Sequence, residues 1–131
     1  MKTVLIVDDS PSVRHQVTLA LAPSGYSILE AADGIEGIDR LGEAEVSLVI
    51  CDVNMPRMGG LDMVEKVKST PALANVPFLM LTSEGQPALI HRAKKAGAKG
   101  WIVKPFNADL LAAAVHSVLA RNSGTSTEPT S

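Results

Sequence analysis

Cysteine occurs once in this 131-residue chain, at position 51, and two Phe, one Tyr and one Trp are its only aromatic residues. A lone thiol excludes an intrachain disulfide and any site built from several thiolates. Its place inside the run Leu48-Val49-Ile50-Cys51 marks it as a small buried hydrophobe. Neither sign of charge dominates: Lys+Arg 12 against Asp+Glu 14 leaves a net charge of -2, so bulk electrostatics offers no pull towards nucleic acid or an anionic membrane. Long apolar runs are absent too. Met1-Lys2-Thr3 leads into only four apolar residues before two acids, too short for a signal peptide or a membrane span, and the expected location is the cytoplasm.

What is present is ordinary globular composition, 46% apolar and 20% charged, in a chain long enough to bury a core as one domain. The runs Val4-Leu5-Ile6-Val7, Leu48-Val49-Ile50-Cys51 and Phe78-Leu79-Met80-Leu81 are continuous rather than alternating. Strands covered by helices on both faces read this way. Weaker strands are expected over residues 27–31 and at Trp101-Ile102-Val103.

Between the runs lie stretches of helical spacing. Val13, Val17 and Ala20 follow a capping Ser10 and Pro11, and Pro23 with Gly25 stops that helix, proline disfavouring helical geometry at Ala22. A short helix spans Ile35 to Leu41, entered through Asp33-Gly34. Leu61, Val64 and Val67 define the next, and residues 69–77 a loop. Leu89, Ile90, Ala93 and Ala96 define a helix closed by Gly97, and Leu111, Val115 and Leu119 one capped by Asn107. The strand-helix unit thus recurs five times, predicting an α/β, doubly wound (βα)5 parallel five-stranded sheet. Residues 1–121 form the domain. Residues 122–131, rich in Ser and Thr without a large apolar residue, read as a disordered polar tail.

The strand ends carry the chemistry. The first run enters Asp8-Asp9, the second Asp52, the third Thr82 and the last Lys104-Pro105. Parallel strands gather these ends at one sheet edge, where open α/β folds place their ligand sites. Two carboxylates about 4 Å apart repel by roughly 1 kcal/mol in water and about 4 at an effective dielectric near 20. Asp8, Asp9 and Asp52 therefore imply a cation, and hard oxygen donors suit Mg²⁺. Lys104 and Thr82 offer a phosphoryl group a point charge and a hydroxyl donor. Asp52 is the natural nucleophile, since a carboxylate can form an acyl phosphate. Each residue alone has a plain role as a turn, a cap or a solvated side chain; the conjunction of acids, a hydroxyl and an ammonium at four strand ends does not.

Val7-Asp8-Asp9-Ser10, Asp52-Val53-Asn54-Met55-Pro56 with Met58-Gly59-Gly60, Leu81-Thr82, Ala96-Gly97-Ala98 and Lys104-Pro105-Phe106 together resemble the receiver domains of two-component response regulators. The chain is most similar to the stand-alone, chemotaxis-type CheY-like group, from residue 3 to about 120. The resemblance implies a flavodoxin-like sheet of order 2-1-3-4-5 and phosphorylation of Asp52 by the phosphohistidine of a sensor kinase. It implies Mg²⁺ held by Asp9, Asp52 and the main-chain carbonyl of Asn54, with Asp8 acting through water. Thr82 would swing onto the phosphoryl group, Lys104 would pair with it, and Trp101 would change its packing as a switch. Asn54 and Glu84 would tune dephosphorylation, and the Lys104-Pro105 bond would be cis, an isomer only about 5–6% of X–Pro bonds adopt. Two departures stand out: Trp101 occupies a position where Tyr or Phe is more usual, and Gly59 replaces a frequent acid.

The expected function is a monomeric binding module, switched at a surface of the fourth helix, fifth strand and fifth helix. Its partners are a sensor histidine kinase and a downstream protein such as a motor switch, a phosphorelay protein or another signalling protein, with no nucleic acid and no membrane. A tenfold change in affinity needs only about 1.4 kcal/mol. A phosphotransferase or phosphatase with an aspartyl-phosphate intermediate is the rival. Against it, Asn54 stands where such phosphatases carry a second acid, and no GxxxxGK[ST] loop occurs. The chain could also be the receiver part of a longer regulator or hybrid kinase, although the Met1 start and short polar tail favour a free-standing protein. His15, His91 and His116 fall on different helices without partners at ligand spacing, and Arg92, Lys94, Lys95 and Lys99 read as a solvated face adjoining the switching surface.

Overall fold

The computed structural model describes residues 2–55, 57–83 and 87–123, with Asn122 and Ser123 described by backbone alone. Strands β1 (Thr3–Val7), β2 (Ser27–Ala31), β3 (Leu48–Asp52), β4 (Phe78–Thr82) and β5 (Gly100–Val103) alternate with helices α1 (Pro11–Leu21), α2 (Gly34–Glu43), α3 (Gly60–Lys68), α4 (Pro87–Ala96) and α5 (Ala108–Ser123). All strand pairs are parallel, in the order β2-β1-β3-β4-β5.

The continuous apolar runs follow from helices on both sides of the sheet. Leu5, Val7, Val49, Cys51, Phe78 and Met80 face α2, α3 and α4, meeting Leu41, Met63, Val64, Val67 and Ala93. The alternate residues Val4, Ile6, Leu48, Ile50, Leu79 and Leu81 meet Val17 and Leu21 of α1 and Leu111, Val115 and Leu119 of α5. Each of these central-strand side chains is essentially inaccessible, worth roughly 1.5–3 kcal/mol apiece in transfer free energy. The edge strands β2 and β5 are only partly covered, which is why their sequences read weakly.

Local signals act as expected at most element ends. The Ser10 hydroxyl accepts from Val13 N–H at 3.3 Å, the Asp33 carboxylate from Glu36 N–H at 2.9 Å, and Asn107 Oδ1 from Asp109 and Leu110 N–H at 2.8 and 3.1 Å. Gly25 (φ 76°) and Gly97 (φ 106°) take the left-handed stop. Ala22 departs from expectation. It keeps helical angles (φ -53°, ψ -44°) before Pro23 because the chain tightens there into a 3₁₀ turn, Ala22–Ser24, and stops only at Gly25. The backbone of α5 continues through Asn122 and Ser123, past the expected limit at 121, since each added helical residue makes one more hydrogen bond. The rest of the expected tail, 124–131, lies outside the described residues. No described helix is long and apolar enough to cross a membrane.

The loop from α3 to β4 depends on one side chain. Lys68 Nζ donates to the carbonyls of Ala74 and Val76 at 2.9 and 2.8 Å and sits 5.9 Å from the centre of the Phe78 ring. Burial, then the charge of Lys99, pulls this ammonium below the usual lysine range. Lys68→Met keeps the apolar stem and leaves both carbonyls without their donor. It should destabilise the fold by about 1–3 kcal/mol in urea unfolding with an unchanged m value; no loss would mean that water replaces the ammonium fully.

Candidate functional site

The carboxyl edge of the sheet brings Asp8, Asp9, Asp52, Thr82 and Lys104 together. Parallel register sets this: Val7, just before Asp8, lies beside Cys51, Asp52 beside Leu81, and Thr82 beside Val103. Asp8, Asp9 and Asp52 each place one carboxylate oxygen within 4.8 Å of the others, the one such acidic group among the described residues. Their environments differ. Asp8 is fully buried, Asp52 is 5% exposed and Asp9 is open to solvent. Asp8 is tightly held: its carboxylate accepts from Ser10 N–H at 2.9 Å, its own N–H donates to Ala31 O at 3.1 Å, and Arg14 Nη1 donates to its carbonyl at 2.6 Å.

Lys104 crosses the cluster. Its Nζ lies 3.2 Å from Asp8 Oδ2 and 3.3 Å from Asp52 Oδ1. Burial pulls this ammonium towards neutrality most strongly, but Asp52 and then Asp8 outweigh it, so Lys104 stays above the usual lysine range. Burial, and after it the charge of Asp8, pushes the Asp52 carboxyl up; Lys104 and the N–H of Asn54 offset part of that rise. Three carboxylates against one ammonium leave two formal negative charges, the amount a divalent cation neutralises. An all-oxygen donor set beside solvent, with Asp9 exposed, fits a hard cation that keeps several waters. Cys51, directly before Asp52, is fully buried, and burial raises its thiol well above the usual range, so it is inert packing as expected.

Thr82 is 4% exposed, and its carbonyl accepts from Lys104 N–H at 2.7 Å, which ties β4's end to β5's. A narrow void of about 10 Å³ is lined by Thr82, Trp101, Met80, Leu89 and Ala93. Trp101 is half-buried there, with Lys94 Nζ 5.9 Å from its ring centre. The Lys104-Pro105 peptide bond is cis. Asn54 is exposed at the mouth of the site. Glu84 lies outside the described residues. An open cleft of about 580 Å³ extends from Asp9 past Asn54, Met55 and Arg57 to Leu89 and Arg92.

Sequence reasoning missed the contacts of two arginines. Arg92, read as part of a solvated face, donates to Asp62 at 3.0 Å and to Glu65 at 2.9 Å, which joins α4 to α3. Arg57 donates from Nη2 to Asp33 at 2.7 Å and has φ 63°, a conformation that costs a side-chain-bearing residue about 1–2 kcal/mol. All three pairs join residues more than twenty positions apart, which no local pattern reveals. His15, His91 and His116 are exposed on α1, α4 and α5.

The structure is thus a doubly wound α/β domain with an acidic, lysine-bridged cluster at the carboxyl edge of its sheet. The chain belongs to the response regulator receiver domain family, which it matches over residues 4–116. It is 40% identical over 121 residues to the chemotaxis protein CheY1 of Helicobacter pylori, covering 91% of this chain and 98% of that one. It is 39% identical over 123 residues to a CheY homolog of Campylobacter jejuni, covering 92% and 95%. Among solved structures it is similar to the chemotaxis protein CheY4 of Vibrio cholerae, with a TM-score of 0.85 and 41% identity over 90% of this chain and 98% of that one. Membership places the protein in two-component signalling, with receiver-type signalling rather than turnover of a separate substrate as its role.

Proposed function

We propose that this protein is a cytoplasmic, chemotaxis-type response regulator. In this reading it accepts a phosphoryl group on Asp52 from the phosphohistidine of a sensor kinase and then alters its affinity for a downstream protein. One observation carries the reading: Lys104 sits between Asp8 and Asp52 within 3.3 Å of both, in a cluster that keeps two uncompensated negative charges. Mg²⁺, held by Asp9, Asp52 and the carbonyl of Asn54 with Asp8 through water, would offset charge on the phosphoryl oxygens.

An Asp52 carboxylate oxygen attacks phosphorus, the P–N bond to the donor histidine breaks, and the imidazole leaves with the bonding pair and takes up a proton. Lys104 is already charged and within reach, so it can follow the new phosphoryl oxygens without crossing solvent. Thr82 supplies a hydroxyl from the next strand, and movement of that side chain alters the void it shares with Trp101. The readout surface is that of α4, β5 and α5, where Val103 (44%) and Leu110 (69%) are exposed apolar residues and Lys94 covers Trp101. Asn54 and Glu84 tune how fast water removes the phosphoryl group. The similarity to chemotaxis proteins supports a downstream signalling partner, a motor switch, a phosphorelay protein or another signalling protein.

Trp101 is the only tryptophan, so its fluorescence reports on this region directly. Titration with Mg²⁺ should change the emission of the wild type and leave Asp9→Ala and Asp52→Asn unresponsive. A full response in those variants would move the metal elsewhere. Turnover of a generic phosphomonoester at many equivalents per chain would overturn the binding-module reading in favour of a phosphatase.

A further inference from the structure

Arg57 is the one non-glycine residue with a left-handed backbone among the described residues. Such strain persists only where the surroundings over-determine it. Here they do. Arg57 Nε and Nη2 both donate to Asp33 Oδ2, at 2.8 and 2.7 Å. Asp33 is 5% exposed and divides its carboxylate, one oxygen holding Arg57 and the other capping α2 through Glu36 N–H. The N–H of Glu36, and after burial the Arg57 guanidinium, hold this carboxyl below the usual range, so the pair is charged at neutral pH.

The neighbouring residues repeat the connection. Gly34 N–H donates to Met58 O at 3.0 Å, and a side chain at Gly34 would meet Met58 Cγ at 2.7 Å. Two consecutive residues of the β3-α3 loop are therefore pinned to the N-terminus of α2, Arg57 by its side chain and Met58 by its backbone. The loop's ends are held separately, Val53 N–H by Leu81 O and Gly60 N–H by Val53 O, each at 2.9 Å. Between these anchors the loop carries Asn54, two residues beyond Asp52 and exposed at the mouth of the site. A loop free to shift at Arg57 would move Asn54 relative to Asp52.

We infer that Asp33 and Arg57 are positioning residues for the phosphoacceptor: their ion pair sets the β3-α3 loop and with it the place of Asn54 relative to Asp52, and it thereby sets Mg²⁺ affinity. The inference rests on the phosphoacceptor reading, because it uses the Asn54 carbonyl as a metal ligand. Neither residue touches the reacting atoms; both act through the loop, as outer-shell partners of metal ligands do.

Arg57→Gly removes the guanidinium but suits the left-handed backbone, so it isolates the ion pair from strain. Asp33→Asn keeps a capping oxygen and loses the charge, and Arg57→Lys keeps a cation without the fork. Two quantities are measured well below the melting temperature: amide hydrogen exchange of Asn54 in metal-free protein, and the Mg²⁺ dissociation constant by calorimetry. Arg57→Gly and Asp33→Asn should each speed Asn54 exchange and weaken Mg²⁺ binding by about tenfold. Arg57→Lys should fall between them and the wild type, and the double variant should be no weaker than either single, because one interaction is lost once. If exchange quickens at Gly34 and Met58 while Asn54 and Mg²⁺ affinity stay unchanged, the pair is only a loop staple and the inference falls. Wild-type protein that binds no Mg²⁺ overturns the phosphoacceptor reading instead, and Asn54 exchange then decides by itself whether the clamp holds this loop.

Discussion

Asp52→Asn protein incubated with acetyl phosphate and Mg²⁺ should take up no phosphoryl group, whereas the wild type should gain a single acid-stable, base-labile group per chain. In the proposed reaction the carboxylate is the attacking group, and an amide oxygen lacks the negative charge that makes the attack possible. The substitution is nearly isosteric and keeps Lys104 against Asp8 at 3.2 Å, so the variant should fold. Folding is the control that gives the result meaning. Burial and the charge of Asp8 already disfavour the charged form of Asp52, so removing that charge should leave the metal-free melting temperature unchanged or higher. Intact-mass measurement at low pH reads the uptake. Labelling that persists in a folded Asp52→Asn protein would place the nucleophile on another residue.

The second large effect is expected at Gly60, the first residue of α3. A side chain there would be driven onto the Asp52 carbonyl oxygen and would stand 2.9 Å from its carbonyl carbon and from Met80 Cε. The carbonyl is backbone of a fully buried strand and cannot yield as a flexible side-chain tip can. Gly60→Ala should therefore cost about 3 kcal/mol or more, the upper part of the overpacking range, and lower the melting temperature by roughly 10 °C. It should also displace the backbone of Asp52, the proposed phosphoacceptor, so Mg²⁺ affinity should fall in whatever fraction remains folded. Gly42→Ala is the matched control. Gly42 lies in α2 with open space where the methyl would go, so that change should be neutral or stabilising by up to about 1 kcal/mol. Equal melting temperatures for Gly60→Ala and wild type would mean that the start of α3 can withdraw from β3.

Gly60 illustrates how much of the site local patterns disclose. Its place in Met58-Gly59-Gly60 was visible in the chain and formed part of the family resemblance. The reason for it, a helix start pressed against the strand that ends in Asp52, is a packing fact. Lys104 stands in the same relation. Its position at the end of a short apolar run marked it as a site residue, yet its approach to Asp8 joins positions 96 residues apart and depends on how the sheet twists and closes.

Trp101 and Arg92 mark the other limit. Trp101 read as strand filling with an implied switch role; its pairing with Lys94 and the void it shares with Thr82 exist only once α4 is laid across β4 and β5. Arg92 looked solvated because nothing within a helical turn opposes it, and its two carboxylates come from α3.

By itself, then, the sequence determined the periodic features: which segments are strands, which are helices, where caps and stops fall, and which residues end each strand. Those depend on side-chain spacing, backbone preference and burial, all properties of a few consecutive residues. Parallel pairing of the runs turned the endpoints Asp8, Asp9, Asp52, Thr82 and Lys104 into one site, so the site too was legible from the chain. The tertiary structure alone decided which acid is buried and which is open, which cation faces which carboxylate, and that Asp33 holds Arg57 in a strained turn beside Asn54. Those outcomes depend on how loops from distant positions meet, where one hydrogen bond or one missing Cβ selects the arrangement and no repeat in the sequence records it.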